Sequence, residues 1–401
     1  MTIRRIIVSA LLYLLIAVLV AALAVGNVLA FTNFGLVSQF LQQETYRIEK
    51  VDDESFDADY YKSEFSDTAA MKAAQEAFAE DAQAEGTVLL QNANLPLAAG
   101  GKVTLLGSSS SAGFLYGGGG SGAVSASDTD LKSAFEDAGY EVNPVMWEFY
   151  TNEEGRNYRN ETTNTTVGEP MVESYTAEQL DSFEEYADAA IVVIGRRGQE
   201  NSDIGRTTTE DASRHMLEFS QAELELIDTA VRYFDDVVIL LNTASPMEIG
   251  YLAGLDVSVL WIGFGGEYGV HAIPEILNGT RYPSGRLTDT YAYDALSAPA
   301  MQNFGNFSFT NEVANRANSY YVYAEGIYVG YRYYETRYAD VVTGRQNVGE
   351  YDYSATVQYP FGYGLSYTEF EYSDFSMQRE NDDFLFSVTV TNTGDAAGKE
   401  V

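Results

Sequence analysis

The sequence predicts a three-layer α/β/α sandwich with a mostly parallel sheet, preceded by a transmembrane helix and followed by the first strands of an antiparallel β-structure. Three observations carry this. Near-continuous Val/Ile/Leu runs, KVTLLG (102–107), AAIVVIG (189–195), DVVILLN (236–242) and VSVLWIG (257–263), alternate with amphipathic helical segments. Strands apolar on both faces and separated by helices belong to a parallel sheet covered on both sides. Residues 6–31 form an uncharged apolar run, and from residue 370 onward apolar and polar residues alternate as in half-buried strands.

Taken in order, the run at 6–31 follows Arg4 and Arg5. About 20 residues at 1.5 Å each cross roughly 30 Å of hydrocarbon. Val28-Leu29-Ala30 would serve as a small-residue cleavage site, but the apolar regions of signal peptides run about 7 to 15 residues, so an uncleaved signal anchor is preferred. The two arginines keep the short N-terminus inside, which makes the protein a single-pass cell-membrane protein with its bulk extracellular. Residues 32–68 read as an acidic stalk. Asp52, Glu54, Asp57 and Asp59 lack the turn glycine and twelfth-position glutamate of a calcium loop.

The sandwich is expected over residues 69–300. Its helices fall at 69–85, at 128–138 with Asp128 as cap, at 177–187, at 220–234 and at 266–277. YEVNPV from Tyr140 supplies one further strand. Ligands of such sheets bind beyond the carboxyl ends of the strands. Here that rim is Gly107–Ser110, 195–200, 242–246 and 263–267. After Pro283 helices are expected to stop. Residues 301–369 are a Tyr/Gly-rich connector, whose regularly spaced tyrosines read as packing at a sheet edge, and residues 370–401 begin a β-sandwich. Two strands leave a long unpaired edge, so the natural chain is expected to continue past Val401.

Composition narrows the chemistry. With 23 Lys plus Arg against 59 Asp plus Glu, the net charge is -36, which excludes nucleic acid as a partner. There are no cysteines and only two histidines, His215 and His271, so disulfides, thiolate zinc sites and Cys nucleophiles are excluded. Gly117 to Gly122 contain a GxGxxG pattern, but ten residues past the strand end, where a dinucleotide fingerprint does not lie. No GxSxG turn supports a serine hydrolase. What stands out is RRGQENSD after AAIVVIG. It presents Glu200 beside Gly198 and Asn201, with Arg196, Arg197 and Asp203 nearby. A carboxyl at a strand end can face a cleft and act as a general acid. On the loop alone, a solvated surface glutamate is the simpler alternative.

The segments EGTVLLQNANLPL, YGGGGSGAV, ADAAIVVIGRRGQENSD, VVILLNTASPMEI, NGTRYPSGRLTDTY, EGIYVGYRYYET and YPFGYGLSYTEFEYS, in that order, make the chain resemble the family 3 glycoside hydrolases over residues 77–401. The resemblance implies an α/β sandwich followed by a fibronectin type III-like domain. It also implies an acid/base glutamate, which falls on Glu200, and a catalytic TIM barrel supplying an aspartate nucleophile. The usual GGEGxD loop is here Gly198-Gln199-Glu200-Asn201-Ser202-Asp203, and no SDW-type nucleophile motif occurs. The barrel is therefore expected C-terminal in the full chain, the inverted order found in some members. The implied function is a membrane-anchored retaining exo-β-glycosidase of β-glucosidase or β-xylosidase type, acting on a β-linked oligosaccharide or glycoside without metal or organic cofactor. The 401-residue chain alone is expected to be inactive. A non-catalytic cell-surface glycan-binding or interaction module is the alternative.

Overall fold

The computed structural model describes residues 3–34, 37–38, 41, 63–111, 113–117, 129–152, 154–155, 168–198, 214–305, 307–309, 319–345 and 349–401. The chain divides into two units, Met1–Ser66 and Asp67–Val401. The first contributes one long helix, α1 (Ile3–Thr32), whose apolar side chains are exposed all round. Its span of 26 residues, Ile7–Thr32, reaches about 39 Å, enough to cross a bilayer. A membrane span and a signal sequence share that length and composition.

The second unit opens with α2 (Thr68–Gly86), capped by Asp67, whose carboxylate accepts the Ala70 N–H at 2.9 Å. At its other end the buried Gln83 donates to Thr87 Oγ1 and to the Ile262 carbonyl, tying the helix to the sheet. The sheet comprises β1 (Val88–Gln91), β2 (Lys102–Leu106), β3 (Glu141–Val142), β4 (Ala189–Arg196), β5 (Val237–Thr243) and β6 (Ser258–Trp261), in the order β1-β6-β5-β4-β2-β3. All neighbours are parallel except β1, which pairs antiparallel with β6. The three-layer sandwich expected from the sequence is thus present.

The packing follows from the pleat. In β4, Ala190, Val192 and Ile194 enter one apolar cluster while Ala189, Ile191 and Val193 enter the other. The first cluster is covered by α4 (Pro144–Asn152), α5 (Ala177–Glu185) and α6 (Gln221–Tyr233), through Met146, Phe149, Phe183, Leu226 and Ile227. The second is covered by α3 (Leu131–Asp137) and the short helix that ends at Leu277, through Leu131, Phe135, Ile273 and Leu277. A strand buried on both faces needs no alternation, which is why these runs read as continuous.

Four details depart from the sequence reading. The cap of α3 is Asp130, not Asp128: its carboxylate accepts from the Ser133 N–H at 2.7 Å, and the Ser133 hydroxyl completes a capping box. YEVNPV yields only two strand residues, because Asn143 Oδ1 accepts the N–H groups of Val145 and Met146 and starts α4, with Pro144 at its first position. The helix expected over 266–277 is two short ones, α7 (Gly266–Gly269) and α8 (Ala272–Leu277).

The fourth departure is the largest. Beyond a two-stranded sheet of β7 (Tyr291–Ala292) with β10 (Val357–Tyr359), the tyrosine tract contains a 13-residue helix between Gly330 and Gly344, numbered below. Helices therefore do not stop at Pro283, and the tyrosines from Tyr331 to Tyr338 lie on a helix rather than at a sheet edge. Shorter elements are α9 (Pro299–Asn303), β8 (Phe307–Ser308) and β9 (Ser319–Tyr320), followed by α10 (Tyr331–Thr343). The chain then packs Leu365 against Leu89, covering the outer edge of β1. The last elements, β11 (Phe370–Glu380) and β12 (Asp383–Asn392), form an antiparallel hairpin, as the alternation predicts.

Candidate active site

The carboxyl ends of the parallel strands are bound into one rim by a buried asparagine. Asn242, at the end of β5, is fully buried. Its Oδ1 accepts the Leu115 N–H at 2.7 Å, and its Nδ2 donates to the carbonyls of Leu115 and Gly263. One side chain so joins the loops after β2, β5 and β6. The β2 loop starts at Gly107, φ +93°, where an added Cβ would lie 2.6 Å from the Val193 carbonyl oxygen of β4. Only glycine permits that approach.

At the end of β4, Arg196 is 2% exposed and uses every donor it has. Its guanidinium pairs bidentately with Glu223, at 2.6 and 2.7 Å, and donates to the carbonyls of Met216, Gly195 and Glu218. Glu223 simultaneously accepts the Ser220 N–H at 2.8 Å in the capping box that starts α6. A buried charge is tolerated only when paired and fully hydrogen-bonded, and both partners here meet that condition. As a result the strand end and residues 216–223 are held together, which fixes both bases of the segment 199–213 between them. The segment leaves the strand past Gly198, where an added Cβ would lie 2.8 Å from the Ala244 Cβ.

Glu200, the expected acid/base, lies outside the described residues together with Asn201, Ser202 and Asp203, as does most of the GGGGSG stretch and residues 42–62 of the expected stalk. Of the residues flanking it, Gly198 and Arg197 stand half-buried on the rim and Arg196 is internal. Glu267 sits on α7, where the Thr129 hydroxyl donates to its backbone carbonyl at 3.2 Å. Among the described residues no three His, Asp or Glu side chains come together as a metal site would require.

The structure adds a carboxyl that the sequence reading did not single out. Glu169, 6% exposed, lies against the start of the β2 loop. It accepts the Ser108 N–H at 2.7 Å and the Tyr150 hydroxyl at 3.1 Å, and Tyr150 is in turn hydrogen-bonded to Tyr175. Burial pushes its pKa up to about 8, against the opposing pull of the Ser108 and Tyr150 donors. Burial thus favours its protonated form, but enclosed by Tyr150, Tyr175 and the backbone of the loop it shapes the rim rather than facing a substrate. Its sequence neighbourhood, VGEPM, carries no periodicity or motif that marks it.

The second unit as a whole is similar to known proteins. Residues 87–331 match the family described as the glycosyl hydrolase family 3 C-terminal domain. Thermostable beta-glucosidase B of Acetivibrio thermocellus is 29% identical over 82% of this chain and 38% of its own length. A beta-glucosidase of Ruminococcus albus is 33% identical over 54% of this chain and 20% of its own. Among solved structures, beta-glucosidase 3B from Thermotoga neapolitana in complex with alpha-D-glucose superposes with a TM-score of 0.62 at 27% identity, covering 81% of this chain and 42% of that one. A beta-glucosidase from Paenibacillus barengoltzii gives a TM-score of 0.60 at 27% identity, covering 80% of this chain and 33% of that one. The chain thus spans less than half the length of each of these proteins.

Proposed function

The chain belongs to glycoside hydrolase family 3, as a C-terminal-type domain, and from that premise we propose that it is the sandwich part of a membrane-anchored, extracellular, retaining exo-β-glycosidase with Glu200 as acid/base. The observation that carries this reading is the rim itself. Two independent loops and the cap of α6 are spent on fixing the exits of β4 and β5, and the segment bearing Glu200 begins at that fixed exit, two residues past Gly198. A catalytic carboxyl needs a scaffold that holds its surroundings in the productive geometry, and the exit of β4 from which the segment starts is held in that way.

In the proposed reaction Glu200 protonates the glycosidic oxygen while an aspartate on a barrel, outside these 401 residues, attacks the anomeric carbon. The two carboxyls would stand about 5 to 5.5 Å apart, too close for an intervening water, so a covalent glycosyl-enzyme forms and configuration is retained. Glu200, now ionised, then removes a proton from the water that releases the sugar. A β-glucoside is the favoured substrate class, supported by relatives named beta-glucosidases and a relative that holds glucose. The domain limits proposed are an anchor over 6–31, a stalk to 68, the sandwich to 300, a connector to 369 and a fibronectin type III-like domain from 370. Proton NMR of the first sugar released by the full-length protein tests the mechanism. Release of the β-anomer, later mutarotating, is expected; initial release of the α-anomer would mean inversion and would remove the covalent step.

A further inference from the structure

The second unit contains a cavity of about 340 Å³ bounded by residues 215–217, the loop after β5 at 245–247, residues 289–304 and the start of α10. Its walls are mainly apolar, with larger side chains such as Met247, Met301 and Phe304 beside a run of alanines. Ala292, Ala295 and Ala298 line it, and a leucine at any of these positions would fill part of the space. Five polar side chains interrupt that surface, His215, Ser245, Asp289, Thr290 and Tyr334, and of these Asp289 and Thr290 stand side by side at the alanine wall. Thr290 is 5% exposed and its Oγ1 has no hydrogen-bond partner in the protein, a state that most buried hydroxyls avoid. The Asp289 carboxylate receives the Thr290 N–H at 2.8 Å and retains capacity for further donors. Burial raises its pKa above the usual carboxylate value, the Thr290 N–H opposing.

The volume exceeds the roughly 150 Å³ known to admit benzene and falls at the lower end of small-ligand sites, about 300 to 1,000 Å³. Apolar walls select a hydrocarbon body. Asp289 repels an anion, as does the net charge of -36. An ammonium would have to shed the hydration of three charged N–H donors to enter walls that are mostly apolar, at a high desolvation cost. A hydroxyl has one donor for Asp289 and an acceptor for Thr290 Oγ1–H.

We propose that this cavity binds a small, neutral, ring-bearing alcohol, its ring against the alanine wall and its hydroxyl between Asp289 and Thr290. For its purpose, though not for the binding, this rests on the glycosidase reading: such alcohols are what hydrolysis of an arylalkyl or cycloalkyl glycoside releases. The binding itself is read without turnover, so failure here and failure of that reading are separate results.

The experiment titrates the 401-residue protein in detergent with benzyl alcohol, benzylamine and benzoate, following the methyl NMR signals of labelled alanine and threonine. Benzyl alcohol should shift the Ala292, Ala298 and Thr290 methyls saturably, with a Kd on the order of 1 mM. Benzylamine should bind several-fold more weakly and benzoate not at all. Thr290→Val, which keeps the shape and loses the hydroxyl, should weaken benzyl alcohol by about fivefold. Ala298→Leu should abolish binding; should it fail to fold, Ala295→Leu on the more open wall gives the same reading. Shifts confined to exposed methyls, equal affinity for the three probes, or tighter binding of benzylamine would each overturn the proposal, as would affinities unchanged in both Thr290→Val and a leucine variant.

Discussion

Replacing Glu169 by Gln should make the protein more stable in alkali and leave it nearly unchanged in acid. The carboxyl is raised from its ordinary 4.5 to about 8 by burial. A group whose folded pKa lies above its unfolded one stabilises the fold fully below the unfolded value and loses that contribution as pH rises through the folded value. For Glu169 the loss therefore runs from about pH 4.5 to about pH 8 and amounts to about 5 kcal/mol, at 1.36 kcal/mol per pKa unit. Glutamine imitates the protonated acid. Its carbonyl can accept the Ser108 N–H, and its amide can donate to the Tyr150 oxygen, the atom that now gives its proton to Glu169. Urea unfolding of both proteins at pH 5, 7 and 9 gives the difference directly, and other titrating groups such as Glu248 and Asp289 cancel because both proteins share them. The variant should gain on the wild type by several kcal/mol between pH 5 and pH 9. A difference constant to within about 1 kcal/mol over that range would mean that Glu169 titrates as an ordinary carboxylate, and the reasoning from its burial fails.

Three further outcomes follow from the rim and the first helix. Arg196→Met strands Glu223 in the interior and should cost about 3 to 5 kcal/mol in urea unfolding, whereas Arg196→Met with Glu223→Leu should recover most of it apart from the lost cap of α6; equal losses in single and double variants would contradict the paired-charge reading. Gly107→Ala combines φ +93° with a 2.6 Å approach to the Val193 carbonyl and should lower stability by about 2 to 3 kcal/mol, and an unchanged urea midpoint would count against it. If the 6–31 run is an anchor with Arg4 and Arg5 inside, protease added to intact cells should digest the sandwich; protection of the sandwich would reverse the topology.

Much of the sheet could be read from the sequence because β4 and β5 are buried on both faces, so seven or eight consecutive residues carry one message. Elements decided by a single side chain were not legible in that way. Asn143 turns a strand into a helix start with two hydrogen bonds, and Asp130 takes the cap from Asp128 by reaching the Ser133 N–H. The helix α10 was hidden because YRYYETRYADVVT is rich in aromatic and β-branched residues of modest helix propensity. It is set by its surroundings instead: Tyr334 is buried with Ala292, Ala298 and Val357, and Gly344 in the left-handed region closes the end. The candidate site divides the same way. Arg196 and Asn242 fall at the ends of legible strands, while Glu169, and Glu223 in its pairing with Arg196, acquire their roles through partners distant in sequence. Glu200 rests on its place after β4 and on the family resemblance.

The role of Glu200 is tested most directly in the full-length protein. General acid catalysis is worth about 10² to 10⁴ in rate and matters most for poor leaving groups. Glu200→Gln should cripple hydrolysis of a disaccharide but spare the first burst of phenol release from an aryl β-glucoside bearing an activated leaving group. Turnover after the burst should be slow, because no base prepares the water, and azide should restore it by attacking without deprotonation. Wild-type behaviour of Glu200→Gln, with the burst and the azide rescue appearing instead in Glu267→Gln, would contradict the assignment.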